Sequence, residues 1–558
     1  MKKYSSKKTA QSLTEILVAK NIEHAVLSPG SRNAPLTTTF QSHPSIKTYS
    51  IVDERCAAFV ALGIVQKKQK PVVICCTSGS ALLNYYPAVS EAFYQRKPLV
   101  IISADRPKNK IDQSFGQTIR QENVFHNHIG FSANLVEDSS VKALHYNERL
   151  INEALNIAIQ KRLPVHINIP FSEPFYNLES SISVSPKIIQ HTSFEKLVNV
   201  NELDDFAKKW NASKKKMVLI GQLPKQPIFQ EQINHLLKDP SIIVLCETTS
   251  NIYHEKAINS IDKTIFSLTP HNFEKIKPEI LITVGQNVIS KKIKKLLQQF
   301  PSKYHANITP EGNIVDTFSS LTHNFETTET LFFSQFFYLT QTSNSNYQKV
   351  WLNLKEEKDK KHQLFLKQCP FSDLKVFEII LQELPQNIDL HLSNSSIVRY
   401  AQLFDTNPTI EYYANRGTSG IEGSTSTAMG SAMATSKQTI LITGDISFFY
   451  DSNALWNSYT PEHFVIILLN NGGGEIFKFI PGPDQTNALE DYFVTQHTLT
   501  AEHLATMYGY NYFKMNKLDN LKKRLQALSS NNQPTLLEID TREVENASIL
   551  KSYFQTLS

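Results

Sequence analysis

The 558-residue chain contains only five cysteines, Cys56, Cys75, Cys76, Cys246 and Cys369. Their number is odd and no two have the paired spacing of metal ligands, which argues against a disulfide-stapled scaffold and a cysteine-ligated zinc module. Long hydrophobic runs are missing too. The longest are about the length of one strand, so no membrane span is expected. The basic start Met1-Lys2-Lys3-Tyr4 leads into a polar, helical stretch rather than the apolar core of a signal peptide. The net charge of +5 is small for this length and does not argue for nucleic acid as a partner. Low-complexity tracts and short repeats are absent. No Gly-x-Gly-x-x-Gly follows the first strand with an acidic residue about 20 positions on, so a nicotinamide-binding dehydrogenase ranks low. What remains is a cytoplasmic globular protein with reduced, mostly buried thiols.

What is present is 41% hydrophobic and 20% charged residues, an ordinary globular composition in a chain too long for one core. Three domains are expected: residues 1–180, 194–345 and 347–558. In the first, a helix over 10–20, a strand over 24–27 and a β-α-β unit over 71–104 alternate as in a doubly wound α/β fold. A polar stretch over 177–193 reads as a linker. The middle segment offers strand-like runs at 217–220, 242–245 and 280–284, and a polar run over 340–346 marks the second boundary. The third domain opens with a highly charged helical stretch. Its apolar runs at 439–443 and 464–469 read as buried parallel strands.

Those two strands carry the chemistry. Asp445 closes the first and Asn470-Asn471-Gly472-Gly473-Gly474 closes the second, with Asn471 following Asp445 by 26 positions. A carboxylate and an amide at the carboxyl ends of neighbouring strands can share a hard divalent cation that holds a phosphate, which implies a diphosphate ligand. Far away in the sequence, Asp53-Glu54-Arg55 follows the strand-like run 48–52.

Together these segments resemble the thiamine-diphosphate enzymes, in which Gly-Asp and a later Asn hold the metal and a Glu from another domain hydrogen-bonds the aminopyrimidine ring. The resemblance implies a fold of three doubly wound parallel-sheet α/β domains: pyrimidine-binding, middle and diphosphate-binding. It also implies thiamine diphosphate with Mg²⁺ or Mn²⁺ as cofactors, and a homodimer or homotetramer in which the first domain of one subunit meets the third domain of another. A third glycine usual after Gly-Asp is replaced by Ile446.

Four further segments narrow the resemblance to the family of 2-succinyl-5-enolpyruvyl-6-hydroxy-3-cyclohexene-1-carboxylate synthases of menaquinone biosynthesis, in which the third glycine is not kept. They are residues 28–36 (SPGSRNAPL), residues 103–107 (SADRP) with 117–121 (QTIRQ), residues 394–399 (NSSIVR) and residues 414–423 (ANRGTSGIEG). The family's substrates, isochorismate and 2-oxoglutarate, are both dicarboxylates. Arginine suits them because its planar fork binds carboxylate bidentately.

By this resemblance Glu54 is catalytic, and Thr77, Ser419, Gly420 and Ile421 contact the cofactor. Asp445, Asn471 and the Gly473 carbonyl hold the metal. Ser31, Arg32, Arg106, Gln117, Ser395, Arg399 and Arg416 bind substrate, with Ile476 and Phe477 as an apolar wall. Lys291 and Lys292 stand where the family has Lys-Arg, on a run that also reads as a solvated helix face. Glu422 replaces a common Asp. The alternative activity is another thiamine-diphosphate-dependent 2-oxo acid decarboxylase or carboligase, such as an acetolactate-synthase-like enzyme, which would not require four arginines together. A catalytically silent binding protein on this fold would have lost Glu54 or Asp445, and both are present.

Overall fold

The computed structural model describes residues 3–192, 195–530 and 533–558. Met1, Lys2, and Ser193 and Phe194, where the linker was expected to enter the middle domain, lie outside the described residues, as do Asn531 and Asn532. Three parallel sheets organise the chain. The first has six strands in the spatial order Lys47–Ser50, His24–Leu27, Val72–Cys76, Leu99–Asp105, Val165–Pro170, Phe131–Asn134. The third has the order Glu411–Tyr413, Asp389–Leu392, Thr439–Gly444, Phe464–Asn470, Thr535–Asp540, Asn511–Met515. Numbered by sequence within each sheet, both orders have the second strand at one edge, then the first, third, fourth, sixth and fifth. The two domains therefore share one topology that their sequences do not reveal.

The central strands are apolar throughout because helices cover both faces. All five residues of Val72–Cys76 and all seven of Phe464–Asn470 are buried. In both six-stranded sheets the chain reverses direction of winding between the first and third strands, and open α/β sheets bind ligands outside the carboxyl ends at such a switch point. The segments after His24–Leu27 and Val72–Cys76, and after Asp389–Leu392 and Thr439–Gly444, hold Ser31 and Arg32, Thr77, Ser395 and Asp445.

The middle sheet has five parallel strands, ordered Ile242–Cys246, Lys216–Ile220, Ile280–Val284, Tyr304–Ile308, His323–Phe325. The charged helix Tyr347–Gln368 serves two domains. Tyr347 and Trp351 enter the middle domain's core beside Phe273, while His362 Nδ1 lies 2.7 Å from Tyr553 Oη in the third. The polar linker likewise begins with a short strand, Leu178–Glu179, paired antiparallel with Tyr4–Ser5.

The first and third domains meet along helices Glu54–Lys68 and Ser424–Met433. Gly63 faces the Thr427 carbonyl and Gly430 faces the Val60 carbonyl so closely that a Cβ at either would overlap the other backbone. Among the described residues no helix is long and apolar enough to cross a membrane, and all five cysteines are buried and free.

Candidate active site

Asp445 sits at the start of helix Asp445–Tyr450, 2% exposed. Its Oδ2 accepts from the N–H groups of Gly472 (2.7 Å) and Gly473 (2.9 Å), and its Oδ1 from Ile446 N–H at 2.7 Å. The glycine loop wraps the carboxylate through left-handed backbone at Gly472 and Gly473, with φ of 84° and 155°. His497 Nε2 lies 3.3 Å from Asp445 Oδ2 without hydrogen-bond geometry, while its Nδ1 accepts from Leu499 N–H at 3.2 Å.

Asn471 decides whether a cation fits here. Its Nδ2 donates to Asp373 Oδ2 at 2.8 Å, which fixes the orientation of the amide and leaves Oδ1 buried with no partner. An orphaned amide oxygen and a carboxylate Oδ1 with one donor supply free lone pairs of the type a hard cation takes. Among the described residues no cluster of three His, Cys, Asp or Glu side chains could hold a metal. This donor set is not such a cluster, because two of its three members are an amide and a peptide carbonyl.

Asp373 is itself held, by Thr541 Oγ1 at 2.7 Å and through its own N–H to Asn546 Oδ1 at 2.8 Å, and burial pushes its carboxyl up to about 6. Outer partners of metal ligands are typically worth about 10- to 100-fold in metal affinity. Asp373→Ala, which frees the Asn471 amide to turn over, is therefore expected to weaken Mg²⁺ binding by about that factor. Titrating Mg²⁺ against the cofactor-loaded protein by calorimetry checks it. Unchanged affinity would mean that Asn471 needs no orientation.

The remaining third-domain candidates stand around the same sheet edge. Ser395 takes φ 67° and Ser419 φ 65°, left-handed conformations that non-glycine residues adopt at a cost and that cluster at functional sites. Arg416 Nη1 donates to Asn394 Oδ1 at 2.7 Å, and Asn394 Nδ2 donates to the carbonyls of Asn415 (2.7 Å) and Gly420 (2.6 Å). Ser447 Oγ fixes the Ile421 carbonyl at 2.6 Å. Burial, and then the proximity of Arg399, lowers the pKa of Arg416. Two cations are thus held near one another where repulsion favours the arrival of an anion. Ile476 and Phe477 lie half-buried on the turn Glu475–Lys478, with Phe477 tilted against Phe493 at 5.5 Å.

The first-domain candidates form a second group. Arg32 is 5% exposed; its Nη1 donates to the Phe171 carbonyl at 2.5 Å and its guanidinium lies over Phe175 at 4.8 Å. Burial, followed by the charge of Arg106, lowers its pKa. Only one of its five N–H donors is used in these contacts. Thr77 is buried in the loop after Val72–Cys76. Beside it, Ser78 Oγ donates to the Gln117 carbonyl at 2.8 Å and Gly79 N–H to Gln121 Oε1 at 2.9 Å. Ser31 and Gln117 are exposed.

The Asp-Glu-Arg segment divides its work. Asp53 accepts from Cys56 N–H as a helix cap and from Asn453 Nδ2 at 2.8 Å, and Arg55 donates to the Tyr450 carbonyl at 2.7 Å, so both grip the third domain of the same chain. Glu54 turns instead to first-domain neighbours: Asn84 at 3.5 Å, Cys76 and Tyr85.

In the middle domain Lys291 is exposed, and Lys292 donates to the Phe266 carbonyl and lies over that ring at 4.9 Å. Lys294 is half-buried, and its pKa is lowered by burial and then by Arg416, with Arg399 also acting on it. The sequence run of lysines marks the helix without saying which turn faces inward.

Residues 7–128 match the family model described as "Thiamine pyrophosphate enzyme, N-terminal TPP binding domain", and residues 395–539 match "Thiamine pyrophosphate enzyme, C-terminal TPP binding domain". A protein of Flavobacterium johnsoniae named 2-succinyl-5-enolpyruvyl-6-hydroxy-3-cyclohexene-1-carboxylate synthase is 49% identical over 98% of this chain and 99% of its own length. Proteins of the same name from Christiangramia forsetii and Bacteroides thetaiotaomicron are 44% and 36% identical, each over 99% of both chains. The chain belongs to the 2-succinyl-5-enolpyruvyl-6-hydroxy-3-cyclohexene-1-carboxylate synthase family. In this synthase-family chain the N-terminal match contains Ser31, Arg32, Glu54, Thr77, Arg106 and Gln117, and the C-terminal match contains every third-domain candidate from Ser395 to Phe477. Lys291, Lys292 and Lys294 fall between them.

Proposed function

We propose that the chain is a thiamine-diphosphate-dependent transferase of menaquinone biosynthesis. It would decarboxylate 2-oxoglutarate and join the remaining four-carbon unit to isochorismate by conjugate addition. Near-full-length identity of 49% to a synthase of that name carries this reading, and it stands above an acetolactate-synthase-like activity because the site gathers Arg32 with Arg106 and Arg399 with Arg416. Thiamine diphosphate supplies the carbon centre at which the 2-oxo acid is taken up and loses CO₂.

The chain's own residues bind and orient. Asp445, Asn471 and the Gly473 carbonyl hold Mg²⁺ or Mn²⁺ against the diphosphate, which the residues of loop 419–421 also contact, with Thr77 as a further cofactor contact. Glu54 hydrogen-bonds the aminopyrimidine ring and governs its protonation. Four substrate carboxylate groups are met by the arginines, with Ser31, Gln117 and Ser395 as hydrogen-bonding partners. Ile476 and Phe477 keep water away. Among the middle-domain lysines, Lys294 is better placed than Lys291 or Lys292.

The catalytic unit is a homodimer at least, and a pair of dimers accommodates the same contact. Glu54 is approached by Asn84 of the first domain and Asp445 by the glycine loop of the third, and the exposed apolar side chains Val52, Leu83, Tyr450 and Trp456 flank the elements that hold them. Buried, unpaired thiols support a cytoplasmic setting.

Loss of isochorismate absorbance, followed with Mg²⁺ and 2-oxoglutarate before and after addition of thiamine diphosphate to chelator-treated protein, tests the activity. Consumption that depends on the cofactor, with equal CO₂ release, is expected; cofactor binding without consumption would shift the reading to another 2-oxo acid. Arg32→Ala should raise the KM for isochorismate about 10-fold or more, with a much smaller change for 2-oxoglutarate, since it removes a fork that binds carboxylate. Equal effects on both would place Arg32 on the wrong substrate.

A further inference from the structure

Glu91 lies on the short helix Tyr86–Tyr94 of the first domain and is 1% exposed. A buried carboxylate is costly unless every lone pair is used. All but one of its partners come from one place, more than 300 residues away in sequence. Oε1 accepts from Gly417 N–H at 2.7 Å; Oε2 accepts from Thr418 N–H at 2.6 Å, Thr418 Oγ1 at 2.6 Å and Ser419 N–H at 3.4 Å. Gln95, one turn further along the chain, donates to the same carboxylate. Three successive backbone N–H groups thus converge on one anion, as they do in an anion-binding nest, and here the anion is a side chain of another domain.

The loop's carbonyls are held from the other side. Asn287 Nδ2 of the middle domain donates to the Arg416 carbonyl at 2.5 Å, Asn394 holds the carbonyls of Asn415 and Gly420, and Ser447 holds that of Ile421. Glu91 is therefore the partner of the N–H groups where the backbone enters its left-handed turn at Ser419. Gly417 allows this approach, because a Cβ there would run into the Glu91 backbone carbonyl.

We propose that Glu91 is a positioning residue that holds loop 416–421 of its own chain in the shape needed to bind thiamine diphosphate and substrate, so that the third domain's site depends on the first domain of the same subunit. This rests on the assignment of that loop to cofactor and substrate under the proposed function. Among the other ties between the two domains, the Lys67 Nζ to Asp389 Oδ2 pair at 2.7 Å grips the sheet edge and not the loop. Without the carboxylate, three N–H groups on one turn lose their acceptor, and the strained turn loses what over-determines it.

The test measures thiamine-diphosphate affinity by calorimetry at saturating Mg²⁺, with thermal unfolding of the cofactor-free protein, for the full-length chain. Glu91→Gln keeps size and shape but turns an NH₂ toward donors. It is expected to weaken thiamine-diphosphate binding roughly 10- to 100-fold, the effect of losing hydrogen bonds to a charged group. Lys67→Met removes a domain tie to the buried Asp389 and is expected to lower the unfolding temperature while leaving affinity within about 3-fold. Equal loss of affinity in both variants would make Glu91 domain glue and overturn the proposal, as would wild-type affinity in Glu91→Gln. If Glu91→Gln does not fold, Thr418→Val decides: deletion of the hydroxyl donor should weaken binding about 3-fold, and no change would overturn the proposal. No isochorismate is needed, so these results do not depend on the acceptor. Failure of the wild-type chain to bind thiamine diphosphate would instead sink the functional reading and the inference with it.

Discussion

Glu54→Gln is expected to leave the fold and Mg²⁺-dependent cofactor binding nearly intact while lowering turnover by about 10²- to 10⁴-fold, the usual contribution of a positioned proton-transfer group. Gln preserves the length of the side chain and its contact distance to Asn84, which lies 3.5 Å from Oε2. It cannot carry the negative charge that governs protonation of the aminopyrimidine ring. The flanking contacts that anchor the segment, Asp53 to Asn453 and Arg55 to the Tyr450 carbonyl, do not involve this side chain. Steady-state kinetics with both substrates, alongside calorimetric cofactor binding, separates the two effects. Full activity in this variant would remove Glu54 from the chemistry and with it the proposed use of the first domain.

Asp445→Ala should abolish Mg²⁺-dependent binding of thiamine diphosphate. The loss should exceed the roughly 100-fold upper range for outer partners of a metal site, because a direct ligand is removed. A second loss adds to it. Asp445 Oδ2 organises the glycine loop through the N–H groups of Gly472 and Gly473, and deletion leaves both without their acceptor. The variant should therefore bind neither metal nor cofactor in calorimetry, with a loop that cleaves more readily in limited proteolysis. Affinity equal to wild type would dismiss the metal site. Asp373→Ala should show a milder form of the same defect. Comparison of the two separates the ligand from the group that orients its neighbour.

The strands that carry the site were legible because each is a continuous apolar run closed by polar residues. The run read over 439–443 is the strand Thr439–Gly444, and the run read over 464–469 is Phe464–Asn470. Buried parallel strands need that composition, and their carboxyl ends are where open α/β sheets place ligands, so Asp445 and Asn471 could be named from the chain alone. Glu91 left no such trace. It occupies an ordinary helical position, and its three backbone partners near residue 418 have no side-chain signature that could be paired with it. Asp373 reads as an acidic residue in the first turn of a helix, where it would stabilise the dipole in any protein; its contact with Asn471 spans 98 positions. The lysines of helix Lys291–Gln299 were visible as a group, yet only the folded structure shows that Lys294 is the half-buried one whose pKa Arg416 lowers. In the same way the charged helix Tyr347–Gln368 gave no sign that Trp351 would enter the middle domain's core.

By itself the sequence determined the three-sheet α/β class, the strand ends at which the candidate metal ligands stand and the family, because periodicity, apolar runs and short motifs are local properties written into consecutive residues. Tertiary structure alone decided the shared strand order of the first and third domains, the direction in which Glu54 turns relative to Asp53 and Arg55, the orphaned oxygen of Asn471 and the grip of Glu91 on loop 416–421. Each of these depends on which distant backbone groups must be satisfied once water is excluded, and that demand exists only after the domains have packed.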